Sequence, residues 1–285
     1  MITEARVRLR VKTLPSLPTT VVAMGQAVTD ERCNVDRILG ILAKDPPLSA
    51  TMLRLANSVL YAGDNRVTDL RSAVLRLGFD AMLNLGRTTA IIRSFKGASR
   101  LDPLRLWQHS VAVGMTAKGL CRFLKHRSLE ESAFLAGLLH DIGKIALDTC
   151  FPEEYAPVVA AIQAGRVGYE IEAELLGLNH ADVGAMVAVN WGFADVLVAV
   201  LRDHHSPPPG AFLSNLINLS DLLVRARLPN SPADETLEFC LEELPAFREV
   251  FSGIPPENLD IERITFSIDD ELDHAISFVK LAFQD

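Results

Sequence analysis

The chain has 285 residues, 49% of them hydrophobic and 22% charged, so it can bury one large core or two medium ones and is not a disordered tail. Its 36 acidic and 28 basic side chains leave a formal net charge of -8, which argues against a general grip on the phosphate backbone of nucleic acid. No apolar run approaches the ~20 residues that span a bilayer, and no apolar signal segment follows Met1-Ile2-Thr3-Glu4. The expectation is a cytoplasmic protein with neither nucleic acid nor membrane as a partner.

Apolar residues recur at three- and four-residue steps through 35–43, 48–60, 70–77 and 82–92, which predicts helices. Asn34 and Asp69 suit N-caps, Gly78 suits a C-terminal stop, and Pro46-Pro47 suits a helix that opens directly after Asp45. Arg87, Arg93, Lys96 and Arg100 form a modest basic stretch but no basic recognition helix. From Gly97 to Pro103 the residues are small and polar, without apolar rhythm, and mark a boundary.

Helical spacing then resumes through 106–124, 129–140, 155–164, 170–176, 181–191, 194–203 and 212–226, with Pro207-Pro208-Pro209-Gly210 breaking one helix from the next. A short alternation over Ile261 to Ile268 predicts a strand, followed by a helix from Asp269 or Asp270 to Phe283 with acids in its first turn. The fold class is all-α. Three parts are expected: an N-terminal helical bundle over 1–100, a second helical domain over 101–228 on which it packs, and an extension of unassigned role over 229–285. Cys33, Cys121, Cys150 and Cys240 form no CxxC pair, so buried reduced thiols are expected rather than a zinc knuckle or a redox site.

Six of the seven histidines fall between residues 109 and 205, five of them apart from His126. With Asp141 and Asp221, the residues His109, His140, His180, His204 and His205 supply imidazole and carboxylate, a ligand mix that suits first-row transition metals. The apolar run Phe134 to Leu139 ends on His140-Asp141, so a helix that must be buried delivers two polar groups inward. An unpaired buried carboxylate is costly, whereas a divalent cation keeps it charged and ligated.

Each residue has a plainer reading. His109 could be a satisfied core histidine, His180 the first turn of a helix, and His204-His205 a solvated helix end. Asp221 could be held by Ser220, Asn218 or Arg225. Lys144, directly after an Asp141-Ile142-Gly143 turn and one helical turn from the candidate ligands, could neutralise a phosphate oxygen or simply complement a helix C-terminus. His126 and His274, among charged neighbours, read as exposed.

The segment Leu138-Leu139-His140-Asp141-Ile142-Gly143-Lys144 resembles the signature of HD-domain phosphohydrolases. The N-terminal half resembles the HDOD output domain, through Leu14-Pro15-Ser16-Leu17-Pro18, Asp45-Pro46-Pro47-Leu48, Leu53-Arg54-Leu55-Ala56-Asn57-Ser58 and Ala73-Val74-Leu75-Arg76-Leu77-Gly78. With Leu106-Trp107-Gln108-His109-Ser110 these motifs cover roughly residues 7 to 226. The resemblance implies a bacterial signalling protein with an HD-like domain over 101–228. It also implies an H…HD…D ligand set of His109, His140, Asp141 and Asp221, with Asp141 bridging to a second metal held by His180, His204 and His205.

One or two divalent ions are implied, with iron, manganese, zinc and nickel all compatible. The implied activity is metal-dependent hydrolysis of a phosphoester or nucleotide with Asp141 and Lys144 in catalytic roles, and the implied partner is a signalling protein. A catalytically silent sensing or interaction module is the alternative. The chain departs from the HD-GYP phosphodiesterases, because Ser206-Pro207 follows the double histidine and Arg105 stands where three-metal members carry an acid. Both differences argue against a third metal and against cyclic-di-GMP as the substrate.

Overall fold

The computed structural model describes residues 1–58, 61, 65–95, 100–227, 240–255 and 259–283. The last two residues of the helix expected over 48–60, Lys96, most of the boundary at 97–99, and 228–239 lie outside them. Among the described residues there is no strand.

The chain divides into two compact units, one gathering Met1–Leu14 with Ala98–Leu272 and the other Pro15–Gly97 with Asp273–Asp285. This differs from the expected division near residues 100 and 228, since the first fourteen residues and much of the C-terminal extension cluster with the histidine-bearing unit.

The second unit holds α2 (Thr19–Val28), α3 (Val35–Leu42), α4 (Pro46–Ala56), α5 (Leu70–Leu77) and α6 (Phe79–Ser94). Asn34, Asp45 and Asp69 each accept a backbone N–H of the helix they precede, from Arg37, Leu48 and Ser72, which satisfies donors that would otherwise be orphaned. Gly78 closes α5 at φ 85°, a conformation a side chain would resist. Met24, Ile38, Leu42, Met52, Leu55, Met82 and Leu85 are wholly buried. The Asn57 side chain ties the end of α4 to the following loop: it donates to Leu53 and Val67 carbonyls and accepts from the Val67 amide, each at 2.9 Å.

The histidine-bearing unit is built from α1 (Glu4–Val11), α7 (Pro103–Phe123), α8 (Glu130–Leu139), α9 (Ile142–Cys150), α10 (Pro152–Gln163), α11 (Gly168–Leu176), α12 (His180–Asn190), α13 (Asp195–Asp203), α14 (Phe212–Arg227) and α15 (Pro245–Val250). Residues up to Leu272 of α16 (Ile261–Phe283) belong with it. The N-terminal α1 is held by buried Val7 and Val11 and by the Ile2 amide, which donates to the Leu176 carbonyl at 2.6 Å.

Two glycine contacts fix the helix crossings that matter for the site. A Cβ on Gly137 would lie 2.5 Å from the Gly114 backbone, so α8 and α7 touch main chain to main chain. A Cβ on Gly143 would lie 1.9 Å from the His180 carbonyl, so α9 abuts the start of α12 just as closely.

Two expectations are corrected. The strand over Ile261 to Ile268 is instead the opening of α16. Ile264, Ile268, Leu272 and Ala275 are buried at three- and four-residue steps, and this period runs on to Val279, outlasting the short local alternation. The thiols are not all buried: Cys121 and Cys150 are, Cys33 is half-buried and Cys240 is exposed. In addition, Ile142 and Gly143 open α9 rather than forming a turn, with Asp141 as the N-cap residue.

Candidate metal centre

The buried C-terminal run of α8 ends on His140, and Asp141 follows at the junction with α9. The His140 Nδ1 lies 2.7 Å from the Gly137 carbonyl. A carbonyl can only accept, so Nδ1 carries the proton and Nε2 presents its lone pair. His204, at the end of α13, is fixed in the same way, with Nδ1 at 2.8 Å from the Leu201 carbonyl. His180, the first residue of α12, donates Nδ1–H to the Glu172 carboxylate at 2.6 Å. Three imidazoles thus enter the site with the same nitrogen free.

Asp141 divides its two oxygens between two groups. Its Oδ2 lies 3.4 Å from His140 Nε2 and 3.7 Å from His109 Nε2, and Oδ1 lies 3.1 Å from His180 Nε2. On the first side, His109 Nε2 is 3.1 Å from Asp221 Oδ1 on α14 and 3.3 Å from His140 Nε2. On the second, His180 Nε2 is 2.8 Å from His205 Nε2, and ring nitrogens of His180, His204 and His205 lie within 4.8 Å of one another. Every residue singled out from the sequence as a ligand falls in this cluster. His126 is exposed and lies against Phe212 instead, its ring tilted by 58°.

Five of the cluster residues, His109, His140, Asp141, His180 and His204, are at most 2% exposed. Burial alone would raise the Asp141 carboxyl, but His140, Lys144 and His180 outweigh it and hold it well below the usual carboxylate range. Asp221 is likewise held low against its burial, by Arg225 and His109. Burial, reinforced by His140 and His180, pushes His204 down to about 3, and burial with His204 and His180 pushes His205 well down. His180 goes the other way, because the Glu172 carboxylate outweighs its burial.

These residues fit a divalent cation. The donor set is imidazole nitrogen plus ionised carboxylate, and His204 Nε2 is buried with no hydrogen-bond partner in the protein, a cost that a bound ion would remove. Lys144 uses one of its three N–H donors on Asp141 Oδ2, at 2.7 Å, from a buried position. The plainer readings of Asp221 fail in part: Ser220 donates to the Leu216 carbonyl and Asn218 to the His204 carbonyl, while Arg225 stands 3.7 Å from the carboxylate.

Sequence reasoning missed the residues behind His180. Glu172 on α11 is fully buried and receives both the backbone N–H and the ring N–H of His180, while Tyr155 of α10 donates to its other oxygen at 2.8 Å. Tyr169 stacks on His205 with ring centroids 4.4 Å apart and an interplanar angle of 18°, beside the one histidine of the cluster that is partly exposed.

The sequence model of the HDOD domain matches residues 14–207. The chain belongs to the HDOD domain family. The matched range takes in every cluster residue except Asp221, which lies beyond it. A crystal structure of an HDOD domain protein of unknown function from Geobacter sulfurreducens shares 24% identity, covers 99% of both chains and superposes with a TM-score of 0.82. A "putative phosphohydrolase" from Shewanella amazonensis SB2B shares 25% identity over 98% of both chains, with a TM-score of 0.77. An uncharacterized protein of Treponema pallidum (strain Nichols) is 24% identical over 201 residues, 70% of this HDOD chain, which spans 39% of the length of that relative.

Proposed function

We propose that this HDOD protein is a metal-dependent hydrolase of a phosphoester or nucleotide, acting in cytoplasmic signalling. The observation that carries the reading is the division of the Asp141 oxygens between two imidazole groups. His109, His140, Asp141 and Asp221 would hold one divalent ion, and Asp141, His180, His204 and His205 a second. Bound there, such ions supply Lewis acidity towards a phosphoryl oxygen and acidify water near neutral pH.

The chain's own residues supply the rest. Nδ1–H bonds fix the orientation of His140, His180 and His204, burial excludes bulk water, and Lys144 beside Asp141 would hold a phosphoryl oxygen of the substrate. The activity named for the similar protein from Shewanella amazonensis agrees with this reading.

A second reading, a catalytically silent sensing module presenting a surface to a signalling protein, draws on the same burial: five cluster residues are at most 2% exposed, and the partly exposed His205 is covered on one face by Tyr169. The deciding assay offers the manganese- or iron-loaded protein bis(p-nitrophenyl) phosphate and a panel of nucleotides, with Asp141→Ala alongside. Turnover that falls at least about a hundredfold in the variant is expected of the hydrolase. Bound metal without turnover on any phosphoester would favour the silent module.

A further inference from the structure

Away from the metal centre, a cleft of about 670 Å³ opens between the C-terminal end of α7, the turn that follows it and the first turns of α16. That volume lies within the range of small-ligand pockets. Gly119, in its wall, is roughly 15 Å further along the α7 axis than His109.

Three features of the cleft depart from what the fold alone would select. Gly119 occupies a helix interior where alanine is the better helix former. A Cβ there would meet nothing nearer than Glu271 Oε1, at an ordinary 3.6 Å. Lys125, just beyond the end of α7, has φ 62°, the only positive φ at a non-glycine position among the described residues. Glycine is the usual residue at such a place, because the left-handed region crowds a Cβ. Thr116 lines the cleft with its Oγ1 buried and without a hydrogen-bond partner.

A small residue has thus been kept where a larger one fits, and a cation where a small residue fits. The first preserves space and the second places charge. Lys125, Arg127 and Arg122 stand at the exposed rim, the last paired with Glu130 at 3.1 Å, and Glu271 is the single carboxylate in the lining. Leu120, Ile264 and Ile268 supply a buried apolar wall.

We propose that this cleft binds a small organic anion, its charged end on Lys125 and Arg127 and its apolar or aromatic body against Leu120 and Ile268, as a ligand site separate from the metal centre. The probe is anilinonaphthalene sulfonate, which joins one anionic group to an aromatic body, titrated into the full chain and followed by fluorescence.

Saturable binding is expected. It should weaken about tenfold or more in Gly119→Leu, which fills the cleft, and by a similar factor in the double variant Lys125→Glu with Arg127→Glu, which reverses the rim charge. Metal content should match the wild type in both. Absence of saturable binding, or equal affinity in wild type and the charge-reversed variant, would overturn the proposal. Because Lys125 and Arg127 are exposed, that double variant decides the matter even if Gly119→Leu does not fold.

Discussion

Glu172 does for His180 what backbone carbonyls do for His140 and His204: it accepts a hydrogen bond from Nδ1–H and leaves Nε2 for the centre. The difference is charge, since a carboxylate also makes the imidazole more basic. Glu172→Gln keeps a hydrogen-bond acceptor at that place but removes the charge, so metal affinity should fall about 10- to 100-fold while the fold persists. Metal titration beside circular dichroism checks this, and unchanged affinity would remove Glu172 from the metal-holding apparatus. His140 and Asp141 were legible in the sequence because polar groups at the end of an apolar run must find partners, and the other imidazoles through their clustering and the family resemblance. Glu172 was not, because Glu170 and Glu174 make its helix look like a solvated acidic face. Its signal was the four-residue step Gly168, Glu172, Leu176, all buried.

At the scale of elements, the site depends on helix backbones that touch. Gly143→Ala would drive a methyl into the His180 carbonyl, separating α9 from α12 and Asp141 from His180. The expected cost is about 1–3 kcal/mol. Gly40→Ala, in a helix with open space around it, should instead stabilise by up to ~1 kcal/mol. Thermal melts of the two variants should therefore move in opposite directions, and a neutral Gly143→Ala would contradict the close crossing.

Helices with strong periodicity or clear caps, such as α3, α4 and α5, were readable from the sequence. Four others, α1, α2, α9 and α15, were not, nor was the opening of α16. The eight residues of α1 have one narrow apolar stripe, α2 starts after Pro18 with no side-chain cap, α9 begins within the histidine-aspartate motif and reads as a turn, α15 has only six residues, and α16 opens with spacing that also matches a strand.

For the molecule as a whole, the buried imidazoles couple folding to pH. His204, lowered from 6.5 to about 3, and His140 and His205, lowered as well, take up protons in the unfolded chain at pH values where the fold excludes them. Their contribution is present above pH 6.5 and is lost as pH falls towards about 3. His180, raised, acts in the opposite sense: its contribution is present below 6.5 and lost as pH rises through its folded value. With three imidazoles against one, the urea midpoint should be lower at about pH 4.5 than at about pH 7.5. A midpoint that rises on acidification would contradict the buried neutral imidazoles.

The central claim, that Asp141 joins two groups of ligands around divalent metal, is tested most directly by elemental analysis of the purified wild type beside Asp141→Ala and His126→Ala. One or two equivalents of metal in the wild type and His126→Ala, with most of it gone from Asp141→Ala, is the expected result. Equal metal in all three proteins, or none under any loading condition, would contradict the account.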